Sequence, residues 1–299
     1  MSATAQAIKA RGLRATAHEY YELCKPRVVM LISFTAIVGM FLATPGMVPI
    51  MVLLLGSIGI TLMAASAAAI NQMLDRHVDA RMARTCGRPL ATGTLSLAES
   101  LAFAGLLGVS GFTILYGWIN PLTAWLTLAT LIGYAGIYTV YLKRATPQNI
   151  VIGGAAGAAP PVLGWVAVTG TVDPHALLLF LIIFVWTPPH FWALAIERHK
   201  EYEKAGIPML PVTHGLDFTR TQVLLYTLLL LVVSVLPYVF GMSGLLYLAG
   251  AVLLSAVFLG YAVRLKFAPV PGLPMRTFGY SIVYLMGIFS LLLVDHYLR

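Results

Sequence analysis

Apolar residues run in nine blocks along this chain, at roughly 26–43, 48–70, 95–116, 121–141, 149–169, 175–196, 220–240, 243–263 and 278–295, with short polar breaks between them. At about 17–25 residues, each block can cross a bilayer as a helix. The bilayer core offers no water to backbone groups, so these segments must satisfy themselves in helical turns. The pattern predicts an all-α polytopic membrane protein. Its nine transmembrane helices form one domain over residues 26–299, and residues 1–25 form a basic lead-in at the cytoplasmic interface.

Composition narrows the solvent. Apolar residues make up 59% and charged residues 10%, against about 25% charged in soluble domains. Mean hydropathy is +0.87. Of the 19 lysines and arginines, 18 fall in alternate loops if the N-terminus is inside, leaving only Arg299 on the other side. Basic loops stay on the cytoplasmic face, so the net charge of +8 reads as a topology signal plus an anion-binding face, with no case for nucleic acid. The implied arrangement is an integral membrane protein, N-terminus cytoplasmic and C-terminus opposite. Cys24 and Cys86 both fall on the reducing side, where a disulfide is not expected.

Polar groups collect where the second block ends. Asn71, Asp75 and Asp79 are spaced by four, and on a continuing helix each step turns about 40° and rises about 6 Å, giving one stripe. Two carboxylates and an amide oxygen are donors of the kind Mg²⁺ takes beside water and phosphate. Arg76, Arg81, Arg84 and Arg88 surround them, and arginine suits phosphate oxygens. Alone, the same pattern also fits a solvated basic loop. Acidic spacing recurs at Glu197 and Glu201 after the sixth block. Lys143 ends the fourth helix beside these clusters; Tyr141 reads as an interfacial aromatic. Glycines and the Pro160-Pro161 pair interrupt the fifth block and imply a bent helix lining a cavity. His190, inside the sixth, either bonds a neighbouring helix or meets ligand. The last three helices look like scaffold. Two acidic stripes crowded by cations suit two metal clusters holding a diphosphate from either side, with a buried lipid tail behind it.

Taken together, Asn71, Asp75 and Asp79, Lys25-Pro26-Arg27, Leu142-Lys143-Arg144, Gly157 to Pro161, Pro188-Pro189-His190-Phe191-Trp192 and Gly206 to Val212 resemble the UbiA superfamily of intramembrane prenyltransferases, in particular its haem O synthase branch, over about residues 20–290. The resemblance implies nine helices around a central cavity open to the cytoplasm. It implies farnesyl transfer from farnesyl diphosphate to a vinyl group of haem B, with Mg²⁺ as cofactor and haem A synthase or a terminal oxidase downstream. Carried over, Asn71, Asp75 and Asp79 bind one metal and Glu197 and Glu201 the second. Asp75, Asp79, Lys143 and Glu201 are the catalytic set. Arg27, Arg84, Arg88, Lys143 and Arg198 contact the diphosphate; contact of His190 with the haem is a separate hypothesis, not part of the resemblance. The second acidic pair departs from the superfamily's usual aspartates. An aromatic quinone precursor as acceptor, or a secondary transporter, are the competing readings; polar groups gathered at one face speak against transport.

Overall fold

The computed structural model describes residues 13–83 and 85–299, with side chains from residue 17 onward. Helices account for the described secondary structure. An interfacial-length helix α1 (Leu13–Leu23) leads into α2 (Pro26–Leu42). Then come α3 (Ile50–Asp79), α4 (Leu97–Ile119), α5 (Pro121–Ala145), α6 (Asn149–Thr169), α7 (Pro174–Glu197), a short α8 (His199–Lys204), α9 (Gly215–Val239), α10 (Leu245–Phe267) and α11 (Leu273–Leu298). Among the described residues eight helices are long and apolar enough to cross a membrane, and α2 makes a ninth when it is joined with the end of α1 across a 57° bend. The chain is an integral membrane protein.

Three local devices shape the bundle around the site. The first is close packing through glycine. Gly39 on α2 lies against the Pro161 backbone and Gly164 on α6 against the Ala36 backbone, leaving no space for a Cβ at either position. Gly59 and Gly111 bring α3 and α4 together in the same way, and Ser66 Oγ donates to the Ala104 carbonyl at 2.8 Å. Helices in lipid associate through such small residues because apolar burial gives them little drive.

The second device is irregular helix. α6 is interrupted at Ala159, just before Pro160-Pro161, as expected from the sequence. α5 widens to π-helical turns over Gly133–Leu142, an unusual length for a geometry that normally appears as single turns near functional sites. There the Thr139 hydroxyl donates to the Tyr134 carbonyl five residues back, at 2.8 Å. The third device is the helix-end clamp. Ser96 and Glu99 form a reciprocal cap on α4. At the opposite end of the bundle, buried Asp295 on α11 accepts from the backbone N–H groups of Gly244 and Tyr247 and so caps α10.

α9 to α11 are less plain than the scaffold expected of them. Tyr284 meets Ser234 at 2.6 Å and Ser255 at 3.3 Å, and the Tyr247 hydroxyl donates to the Ser234 carbonyl. These groups are hard to read from sequence because each is a single polar residue among apolar neighbours. Only packing shows that they face one another.

Candidate active site

α3 continues unbroken from its apolar stretch through Asp79, so the stripe expected from the four-residue spacing forms. Asn71, Asp75 and Asp79 are 3%, 2% and 4% exposed. Burial this deep costs several kcal/mol per unpaired ion, and each polar group accordingly meets a cation. Lys25 Nζ donates to Asn71 Oδ1. Lys143 Nζ donates to Asp75 Oδ2 at 2.7 Å, and Arg88 Nη1 to Asp79 Oδ2 at 2.6 Å. The Asn71 amide nitrogen donates to Asp75 Oδ2 at 3.1 Å and to Thr139 Oγ1 at 2.9 Å, which fixes its oxygen toward Lys25. The π-helical stretch of α5 thus sets both Thr139 and Lys143 against the stripe.

Three cations face two carboxylates, an excess of positive charge suited to an anion. Lys25, in the bend between α1 and α2, reaches the stripe at Asn71. It is also the one non-glycine residue at positive φ (51°) among those described. A left-handed lysine before a proline costs on the order of 1–3 kcal/mol and persists where its surroundings hold it in place. Gln72 helps by donating to the Glu22 and Leu23 carbonyls, tying α3 to the end of α1.

The donor set fits a divalent cation. Asp75 Oδ1 is buried with no hydrogen-bond partner, an orphaned acceptor that a metal would satisfy. Among the described residues no three His, Cys, Asp or Glu side chains converge. Two carboxylates and an amide oxygen suit Mg²⁺, which completes its shell with water and substrate phosphates.

The second acidic pair is organised differently from the expectation. α7 ends at Glu197, and Arg198 leaves helical geometry (φ −105°, ψ 20°) before α8 begins. The step from Glu197 to Glu201 therefore crosses a break, and the two do not share a stripe. Glu197 is exposed and pairs with nothing described. Glu201 accepts from Arg198 Nη1 at 3.0 Å, and its other oxygen is buried without a partner. Tyr202, next in sequence, packs with Met82, Ile150, Ile207 and Met209, and Tyr138 lies within electrostatic reach of both Tyr202 and Asp75. Both acidic segments thus stand at one end of the bundle.

Other expected residues divide. Arg27 lies exposed on the first turn of α2 with no described partner, and Lys25 takes the place beside Asn71 instead. The cue was present in Lys25-Pro26-Arg27, but only the turn before α2 shows which cation points inward. Arg84 lies outside the described residues. His190 bonds a neighbouring helix: its Nδ1 meets Ser281 Oγ at 2.6 Å, and its ring stacks between Trp186 and Phe278 at 4.2 and 4.5 Å. The Ser281 hydroxyl donates to the Phe278 carbonyl, so the hydrogen between Ser281 and His190 sits on Nδ1, leaving Nε2 as an acceptor. Tyr141 is exposed, as an interfacial aromatic would be.

The profile of the UbiA prenyltransferase family matches residues 32–290. The chain belongs to the UbiA prenyltransferase family. Its relatives include the protohaem IX farnesyltransferases of Alkalilimnicola ehrlichii, 64% identical over 94% of this chain and 93% of that protein, and of Nitrosococcus oceani, 62% identical over 96% of each. Among solved structures it shares the fold of a digeranylgeranylglyceryl phosphate synthase (TM-score 0.79, 19% identity, 95% of this chain and 99% of that one). A UbiA homologue from Archaeoglobus fulgidus bound to GPP and Mg²⁺ is similar too (TM-score 0.65, 19% identity, 92% and 99% covered). Within this family's fold, the acidic stripe of α3 and the segment after α7 meet at one end of the bundle.

Proposed function

We propose that this chain transfers a farnesyl group from farnesyl diphosphate to a vinyl group of haem B, giving haem O. The observation that carries the chemistry is the buried row of Asn71, Asp75 and Asp79, each capped by a cation; the 57–64% identity to protohaem IX farnesyltransferases supports haem as acceptor. Mg²⁺, held by Asn71, Asp75 and Asp79 with Glu201 as a further acidic ligand, would neutralise the leaving diphosphate. Lys25, Lys143 and Arg88 now rest on the acidic groups and turn to the phosphate oxygens when substrate arrives. The allylic C–O bond breaks and the diphosphate leaves. The vinyl group attacks the resulting cation, and water adds to the carbocation left on the carbon next to the porphyrin ring, losing a proton to solvent, which completes the hydroxyethylfarnesyl chain. The surrounding apolar wall excludes water until then.

The reading also assigns the porphyrin to His190, through the Nε2 that its bond to Ser281 leaves as an acceptor. His190→Ala should weaken haem binding, followed in a haem titration; unchanged affinity and turnover would remove it from the site. We place the site on the cytoplasmic face of a bacterial inner membrane, with residues 1–25 as the lead-in. The central test is incubation of purified protein with haem B, farnesyl diphosphate and Mg²⁺, followed by mass analysis. A farnesylated porphyrin is expected; transfer only to an aromatic acid would favour the quinone-precursor reading.

A further inference from the structure

Beside the acidic stripe lies a cavity of about 320 Å³, lined by His77, Val78, Arg81, Arg144, Gly206 and Ile207 among others. The end of α3 with the turn after it, the end of α5 and the turn after α8 build it at the same end of the bundle, and each stands next to a site residue. His77 lies between Asp75 and Asp79, Arg144 follows Lys143, and Gly206 lies five beyond Glu201. The walls are therefore the helix ends and turns that hold the site.

Its charge is unspent. Lys143, Arg88, Arg198 and Lys266 each hold a carboxylate. Arg81, Arg144 and His77 hold none among the described residues, and Arg81 and Arg144 are exposed. Val78 and Ile207 make the remaining wall apolar, continuous with the cluster of Met82, Ile150, Tyr202 and Met209. Gly206, at φ +68°, leaves open space where a Cβ would stand. The cavity thus asks for an anion of more than one charge attached to a flat apolar body. At the low end of the range for small-molecule sites, about 300–1,000 Å³, it takes one edge of such a body.

We propose that this cavity receives the two propionate carboxylates of the acceptor haem, with Arg81 and Arg144 as their principal partners. The inference rests on haem being the acceptor. It gives the enzyme a means of orientation: haem B carries its propionates on one edge and vinyl groups on the others, so anchoring the acidic edge directs a vinyl toward the diphosphate end of the prenyl chain. Two planar guanidiniums match two carboxylates. An acceptor lacking that pair of acids gains nothing from the cavity, which makes it a determinant of specificity.

The test compares haem B with its dimethyl ester, in which both carboxylates are blocked, by difference spectra on detergent-solubilised full-length protein. Wild type should prefer the free acid by about tenfold per carboxylate, the usual effect of losing one charge-assisted bond. The pair Arg81→Gln and Arg144→Gln should bind both forms equally weakly, with KM for farnesyl diphosphate unchanged. Arg81→Lys with Arg144→Lys, which keeps the charge and the fold, should retain part of the preference. Variants that still prefer the free acid as wild type does overturn the assignment. So does a raised KM for farnesyl diphosphate, which would make these diphosphate ligands. Loss only of stabilisation by phosphatidylglycerol vesicles would overturn it in favour of a lipid headgroup. If haem binds and is farnesylated while the preference is unaffected, the cavity assignment fails alone; if neither haem form binds and none is farnesylated, the proposed function fails with it.

Discussion

Asp75 concentrates the physical chemistry of this protein. One oxygen takes Lys143 and the Asn71 amide, and the other takes nothing. Removing one partner of so buried a pair leaves an uncompensated charge, at a cost of about 3–5 kcal/mol. Lys143→Met should therefore lower the melting temperature of the substrate-free protein by several degrees and abolish most turnover. Asp75→Asn combined with Lys143→Met should recover the stability but none of the activity. Melts and transfer assays on the double-mutant cycle check this; recovery of turnover in the double variant would mean that Asp75 is only a structural partner of the lysine. The stripe itself was plain from spacing, since four residues in a continuing helix can land nowhere but on one face. That Lys25 rather than Arg27 serves it was not. The choice depends on a left-handed turn before Pro26, and no periodicity encodes that.

The helices act through their irregularities. α5 delivers Thr139 and Lys143 by way of its π-helical turns, and Gly153 on α6 lets Tyr138 lie flat against it: a Cβ there would run into the ring. Gly153→Ala should displace Tyr138 and with it the Thr139–Asn71 bond, so turnover falls more than stability. Gly39→Ala should do the reverse, because it meets the Pro161 backbone, which cannot swing aside; overpacking of that kind costs roughly 1–3 kcal/mol. Equal effects of the two substitutions on melting temperature and on turnover would refute the distinction. The break between Glu197 and Glu201 belongs to the same class. Acidic residues four apart suggested a second stripe, yet α7 ends at Glu197 and only Glu201 turns toward Arg198. Hydropathy marks where a helix leaves the membrane; it does not say at which residue the backbone turns.

Across the bundle, most of the basic residues lie at one end and the Asp295 clamp, with Arg299, at the other, which makes orientation testable with a native reporter. Cys86 is an exposed free thiol in the segment that follows the acidic stripe. A membrane-impermeant thiol reagent should label it in inverted vesicles and leave it unlabelled in intact spheroplasts. The opposite result would place the site on the outer face. The order of the membrane helices, the gathering of most cations at one end and the acidic stripe were legible in the chain, because each depends on local quantities: block length, solvent preference and the helical repeat. Which cation pairs with which acid, the isolation of Glu197 among the described residues, the tying of His190 to Ser281 and the gathering of Arg81 and Arg144 around one cavity depend on how segments far apart in sequence pack. Those contacts are set by backbone breaks and glycine-sized gaps between helices, and they exist only once the bundle has closed.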